Sequence, residues 1–186
     1  ASTYSENCTL IELGTLNSGR KLLVVRINNG ETEGKPKFFY SSTIHGDETT
    51  GFIMMLRLIE TLLTQQDLPE VKNVLDNIDL FIAPNTNPDG TYHGGNHTVN
   101  GATRSNAYGV DMNRNYPDPI DGPHPDGEDY AYETELMMRF AEDYQFTMAA
   151  HYHGGEEVMN YPWYNKYERH ADDAWLQLVG REYADL

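Results

Sequence analysis

The chain changes hydrophobic period within one short segment, Thr43-Ile44-His45-Gly46-Asp47-Glu48. Upstream, Lys37 to Ile44 is rich in aromatic and β-branched residues and reads as a strand. Downstream, apolar residues recur at Phe52, Met55, Leu56, Ile59, Leu62 and Leu63, the three-and-four spacing of a helix face. His45 therefore closes a strand, and Glu48 opens a helix that ends near Gln65. A turn of this kind points into the crevice at the strand's carboxyl end, where open α/β sheets bind ligands. His45 and Glu48, three residues apart, are two candidate metal ligands. The same pair also reads as a helix start beside a solvated histidine, so a further ligand is needed to decide.

The rest of the chain interleaves the two periods. Cys8 to Leu13 and Lys21 to Ile27 read as a hairpin around the Gly14 to Arg20 turn. A short helix is expected at Pro69 to Leu75 and a buried strand at Ile78 to Ala83. Glu133 to Tyr144 is helical, with Leu136, Met137, Phe140, Ala141 and Tyr144 on one face, and Phe146 to His151 is a strand. A last helix starts at Asp172, a plausible N-cap, buries Ala174, Trp175, Leu178 and Val179, and runs to Leu186 without a stop signal. Asn85 to Tyr130 has little periodicity, as a functional loop would. These patterns predict an α/β fold, a mixed sheet flanked by helices on both faces. Neither a repeat nor a dividing linker interrupts residues 1–186, so one domain is expected.

Net charge sharpens the choice of partners. At −16, with a pI near 4.6, the chain has no basic stripe for nucleic acid or an anionic membrane surface. Cys8 is the sole cysteine, which rules out an intrachain disulfide and a cysteine-rich zinc site. No stretch reads as a membrane span or a signal peptide, and the polar opening ASTYSENC resembles a processed or trimmed end.

A zinc site needs about four ligands, and a catalytic one keeps a position open for water. The third protein ligand is expected at a second strand end. His153 follows the strand Phe146 to His151, and the glycines behind it let backbone pack close. His151, two residues earlier, lies on the same face of an extended chain, and spacing leaves both open. In the irregular stretch, Arg104, Asn113 and Arg114 stand out. An Asn-Arg pair in a fixed loop can grip a carboxylate, with Arg giving a bidentate charged bond. The competing reading pairs Arg114 with a surface acid, in a chain of 29 acids against 13 bases.

Four segments carry a resemblance. The HGDE turn, PNTNPDG (Pro84 to Gly90), TRSNAYGVDMNRNYP (Thr103 to Pro117) and HYHGGEEVMNYPW (His151 to Trp163) are similar, in order and spacing, to the zinc-dependent metallocarboxypeptidases. The similarity is to the subgroup without a pro-domain, where regulatory and many bacterial secreted enzymes fall. It implies hydrolysis of the C-terminal peptide bond of peptides or proteins, and a secreted or periplasmic location. It implies one zinc ion held by His45, Glu48 and His153, which selects His153 over His151. Arg104 is implied as the group assisting the scissile carbonyl, and Asn113 with Arg114 as the anchor for the substrate's terminal carboxylate. His93, His97, His124 and His170 match no functional position. The Tyr161-Pro162-Trp163 segment implies a cis bond after the proline.

The resemblance also sets expectations about what is not in the chain. The family's general-base Glu and its substrate-capping Tyr lie beyond the third zinc ligand, and no residue up to Leu186 matches either. The chain is thus expected to be the central part of a catalytic domain, its C-terminal part missing, and to lack peptidase activity alone. Glu156 and Glu157 follow His153 in a segment expected to continue as a strand, which would let at most one face the metal. The alternatives are a related zinc amidase or deacylase, and a non-catalytic carboxylate-binding domain.

Overall fold

A computed structural model describes Tyr4, residues 6–163 and residues 165–185. The chain forms two compact units, Ala1–Gly154 and Gly155–Leu186. The first is built on a five-stranded sheet of order β1-β2-β4-β3-β5: β1 Cys8–Thr15, β2 Lys21–Ile27, β3 Lys37–Ser42, β4 Asp79–Ala83 and β5 Met148–Tyr152. β1, β2 and β4 pair antiparallel, whereas β4 and β5 run parallel to β3 on either side of it.

The side-chain alternation of each strand feeds two cores, one on each face. Ile27, Leu80 and Ile82 face helices α1 (Thr49–Thr64) and α2 (Pro69–Asn77), packing with Met55, Leu62, Val71 and Leu75. Val24, Phe39, Phe81 and Ala83 face Phe140, on a later helix that we number α4 (Tyr132–Tyr144). There the fully buried Phe81 ring meets Phe140, Phe146 and Tyr144 edge-on at 4.8–5.9 Å. The chain leaves β3 across one face to reach β4 and returns across the other to reach β5. The carboxyl end of β3 is thus a point where the winding reverses, the place where sheets of this class open a crevice.

The hairpin, the two parallel strands and the helices flanking them lie where their periods predict. Differences concern ends and coverage. β3 stops at Ser42, so His45 sits in the turn beyond the strand rather than closing it. The irregular stretch contains a four-residue helix, α3 (Pro88–Thr91), too short to leave a periodic trace. Leu56, expected on the buried face of α1, is 43% exposed, and Ala141 is also exposed. The final helix, α5 (Asp173–Ala184), has Asp172 at its N-cap, but Trp175 and Leu178 of its expected buried face are 48% and 54% exposed. Spacing identifies an apolar face, while coverage depends on a neighbouring element. Among the described residues of Gly155–Leu186, α5 is the one regular element. Residues 156–160 are irregular rather than a strand. The Pro162–Trp163 bond is cis. The expected end of the last helix at Leu186 lies outside the described residues.

One buried acid makes the stability of this fold pH-dependent. Glu133, in the first turn of α4, is 3% exposed and accepts a long 3.3 Å bond from Asn106 Nδ2. Burial raises its pKa; bonds from its own backbone N–H and from Asn106 oppose the rise, and Asp89 adds to it. The folded state thus holds this proton more tightly than the unfolded state. Stability should fall as pH climbs from the ordinary glutamate value of 4.5 through the raised folded value. Urea unfolding from pH 4.5 upward should show a shallower fall for Glu133→Gln. Parallel curves for variant and parent would mean that the carboxyl ionises as freely in the fold as outside it.

Candidate metal centre

The carboxyl ends of β3 and β5 lie side by side, because Ser42 pairs with Tyr152. His45 lies three residues past the first strand and His153 one residue past the second. Glu48 stands at the N-cap of α1 but makes no capping bond with its side chain. Its carboxylate turns to the histidines instead. Oε1 lies 2.8 Å from His45 Nδ1, and Oε2 lies 2.9 Å from His153 Nδ1 and accepts the Gly154 N–H at 3.0 Å. Burial works to raise the Glu48 pKa, but the Gly154 N–H and the two imidazoles outweigh it and hold the carboxyl below its ordinary range. One donor atom from each of His45, Glu48 and His153 falls within 4.8 Å of the others. His151 is outside that group; its Nδ1 contacts Ser41 Oγ at 2.7 Å.

The turn that carries His45 is held by the segment Pro84 to Gly90. The fully buried Asn87 donates through Nδ2 to the carbonyls of Ile44 (3.0 Å) and Arg104 (3.2 Å), while its Oδ1 accepts the Gly90 N–H. A Cβ on Gly46 would come within 2.4 Å of Gly90 and Thr91 backbone atoms, so this position requires glycine. Thr43, immediately after β3, has φ 61, a costly conformation for a β-branched residue. Strain of this kind persists only where surrounding structure enforces it. Here Thr43 is fully buried, and its hydroxyl reaches the Glu48 carbonyl at 3.4 Å.

Asp111 joins the remaining candidates to the histidines. Oδ1 lies 3.3 Å from His45 Nε2 and accepts the Asn113 N–H at 3.0 Å, capping the 3-10 turn Met112–Arg114. Oδ2 accepts Arg104 Nε at 2.9 Å, and Arg104 Nη1 lies 3.2 Å from His45 Nδ1. Burial pushes the Asp111 pKa up, but the Arg104 guanidinium overcomes it and the net shift is down. Arg114 donates to the Asn113 carbonyl at 2.9 Å, and no carboxylate pairs with it among the described residues. The surface-pairing alternative for Arg114 is therefore not what the geometry adopts.

The sequence profile described as zinc carboxypeptidase matches residues 1–186. The chain belongs to the zinc carboxypeptidase family. Carboxypeptidase D of Mus musculus is 33% identical over 197 residues, spanning 99% of this chain and 14% of that protein. Carboxypeptidase SOL1 of Arabidopsis thaliana is 31% identical over 194 residues, spanning 97% of this chain and 38% of that protein. Carboxypeptidase A from Helicoverpa armigera, a solved structure at 22% identity, superposes with a TM-score of 0.83 over all of this chain and half of its own. That likeness establishes the shared α/β fold.

The donor set suits the zinc of this family. Two imidazole nitrogens and a carboxylate are borderline and hard ligands of the kind zinc takes, and three of them leave a position for water or substrate. A neutral imidazole carries one N–H, so His45 either donates Nδ1–H to Glu48 Oε1 or donates Nε2–H to Asp111 Oδ1. In the second tautomer the Nδ1 lone pair faces Glu48 Oε1 and is available to a cation.

Sequence reasoning did not single out Asn87 or Asp111. Both lie in segments that carry the family resemblance, with no role implied for either. Asp111 stands two residues before Asn113, and its capping position before a short turn was the one available signal. An acceptor on the far nitrogen of a ligating histidine orients the ring and raises its basicity. Asp111→Ala should therefore weaken zinc retention by about 10–100-fold, and Asp111→Asn, which keeps one acceptor oxygen, by less. Competition with a chromophoric chelator reads this directly. Equal retention in all three proteins would detach Asp111 from the site.

Proposed function

We propose that the protein containing this chain is a zinc metallocarboxypeptidase that hydrolyses the C-terminal bond of peptides or proteins. His45, Glu48 and His153 hold one zinc ion in this reading. Family membership supports it, and the observation that carries it is the meeting of those three side chains from two parallel strand ends. The chain spans less than two fifths of the two curated relatives named above and half of the solved one. We accordingly read it as part of one catalytic domain. A secreted or periplasmic location belongs to the same reading and rests on the family resemblance. No described helix is long and apolar enough to cross a membrane.

Zinc, when bound, supplies a Lewis acid for the scissile carbonyl and the attacking water. The chain's own residues do the rest. Arg104, held by Asp111 beside His45, offers N–H donors where negative charge develops on the carbonyl oxygen. Asn113 and Arg114 sit on a turn fixed by Asp111 and grip the terminal carboxylate, which restricts attack to the last bond. The acidic surface repels an anionic substrate over its screening length of about 10 Å, so these arginines act at short range.

The experiment compares peptides with free and amidated C-termini as substrates of the full-length protein. Free acids should be cleaved and amides should be poor. Arg114→Ala should weaken binding of free-acid peptides by about 1.5–3 kcal/mol, the scale of a charged hydrogen bond. Equal turnover of both substrate types would replace this reading with the amidase one.

A further inference from the structure

His151 is left over by the site just described, although it lies two residues from His153. It lies on β5, an edge strand, directly across from Ser41 on β3. Ser41 is 5% exposed, and its Oγ contacts His151 Nδ1 at 2.7 Å. That contact ties the His151 ring, exposed at the sheet edge, to β3. Two residues on, His153 has no such support from its own backbone. It is past the end of β5, followed by Gly154 and by Gly155 at φ 102. A side chain outside the strand ladder loses rotamer freedom when it is fixed in one orientation, and that loss weakens binding; Glu48, which meets His153 Nδ1 and the Gly154 N–H, is itself one of the converging donors.

The His153 ring meets two other imidazoles. His45 is 4.8 Å away, centroid to centroid, and His151 is 4.9 Å away with an interplanar angle of 67°. His45 is itself one of the converging donors. His151 is anchored independently, through Ser41, and is therefore a neighbour that can hold His153 without itself being one of the converging donors. The alternation that put residues 151 and 153 on one face, and made them indistinguishable as ligands by spacing, is what brings the two rings into contact.

We propose that His151 is a positioning residue for the metal centre: clamped by Ser41, its ring forms a wall that keeps the His153 imidazole turned so that Nδ1 meets Glu48. The inference rests on reading His153 as a ligand. It assigns His151 no bond to the metal and no part in proton transfer.

The test measures zinc affinity by chelator competition and the absorption spectrum of the cobalt-substituted protein, in the full-length protein and its variants. His151→Ala should bind zinc about 10-fold or more weakly, the cost of losing a support behind a ligand, and should shift the cobalt bands. Ser41→Ala and His151→Phe each keep a ring but lose the clamp, and both should fall between His151→Ala and the parent. His153→Ala should lose zinc outright. Unchanged affinity and spectrum in His151→Ala would overturn the proposal, as would a Phe variant no better than the Ala variant. If His153→Ala keeps its zinc while His151→Ala loses it, the ligand assignment itself fails, a result distinct from the failure of the wall.

Discussion

The buried carboxamide of Asn87 is the contact on which the arrangement depends. The chain brings the His45 turn, the Arg104 segment and the Asn87 segment together at the crevice, and only the last carries a regular element, the four-residue helix Pro88–Thr91. A single Asn87 side chain donates to the backbone of the His45 turn and of the Arg104 segment while accepting from its own short helix. A carboxamide has two donors and an acceptor in one plane, so it can satisfy three backbone groups that would otherwise be buried without partners. The segment carrying it is fixed in turn, because Asp89 accepts from Arg20 at 2.7 Å and from Ser18 at 2.6 Å in the β1–β2 turn. The position of the HGDE turn is thus set by the hairpin at the far edge of the sheet as much as by the strand it follows.

Charge is arranged on the same principle of local enforcement. A chain with net charge −16 keeps two arginines close to one turn without letting its acids neutralise both. Arg104 is paired, but with Asp111, whose other oxygen faces His45 and caps the turn bearing Asn113 and Arg114. One carboxylate therefore orients a candidate ligand, a candidate oxyanion donor and the turn that offers the anchor. Glu48 does the corresponding work on the opposite side of His45, gathering both histidines and the Gly154 amide. Such networks are favourable only when every member is satisfied, and here each carboxylate oxygen has a partner.

Much of the fold was legible because strand and helix periods differ, and the segments are long enough to register them. Lys37 to Ser42, Asp79 to Ala83 and the helices Thr49 to Thr64 and Tyr132 to Tyr144 each carry enough residues to fix type and face. Leu56, Trp175 and Leu178 show where that reasoning stops. Their spacing marks an apolar face correctly, but burial is a property of the opposing surface, and no pattern within one helix describes its neighbour. The helix Pro88–Thr91 was illegible for a different reason: at four residues it is held by the Asn87 side chain and not by periodicity.

The sequence by itself determined the element types, the strand-to-helix turn carrying His45 and Glu48, and the short list of residues able to bind metal or carboxylate. Those are local properties, written in spacing and side-chain chemistry. Spacing left His151 and His153 equal, because both lie on one face of an extended chain; the family resemblance favoured His153, and the tertiary structure brings that side chain to His45 and Glu48. The parallel register of β3 with β5 pairs His151 with Ser41 and carries His153 past the strand end to Glu48. Tertiary structure alone decided that Asp111, 66 residues from His45, stands behind that ring. Distances of this kind are set by the winding of the chain around β3, which no window of sequence contains.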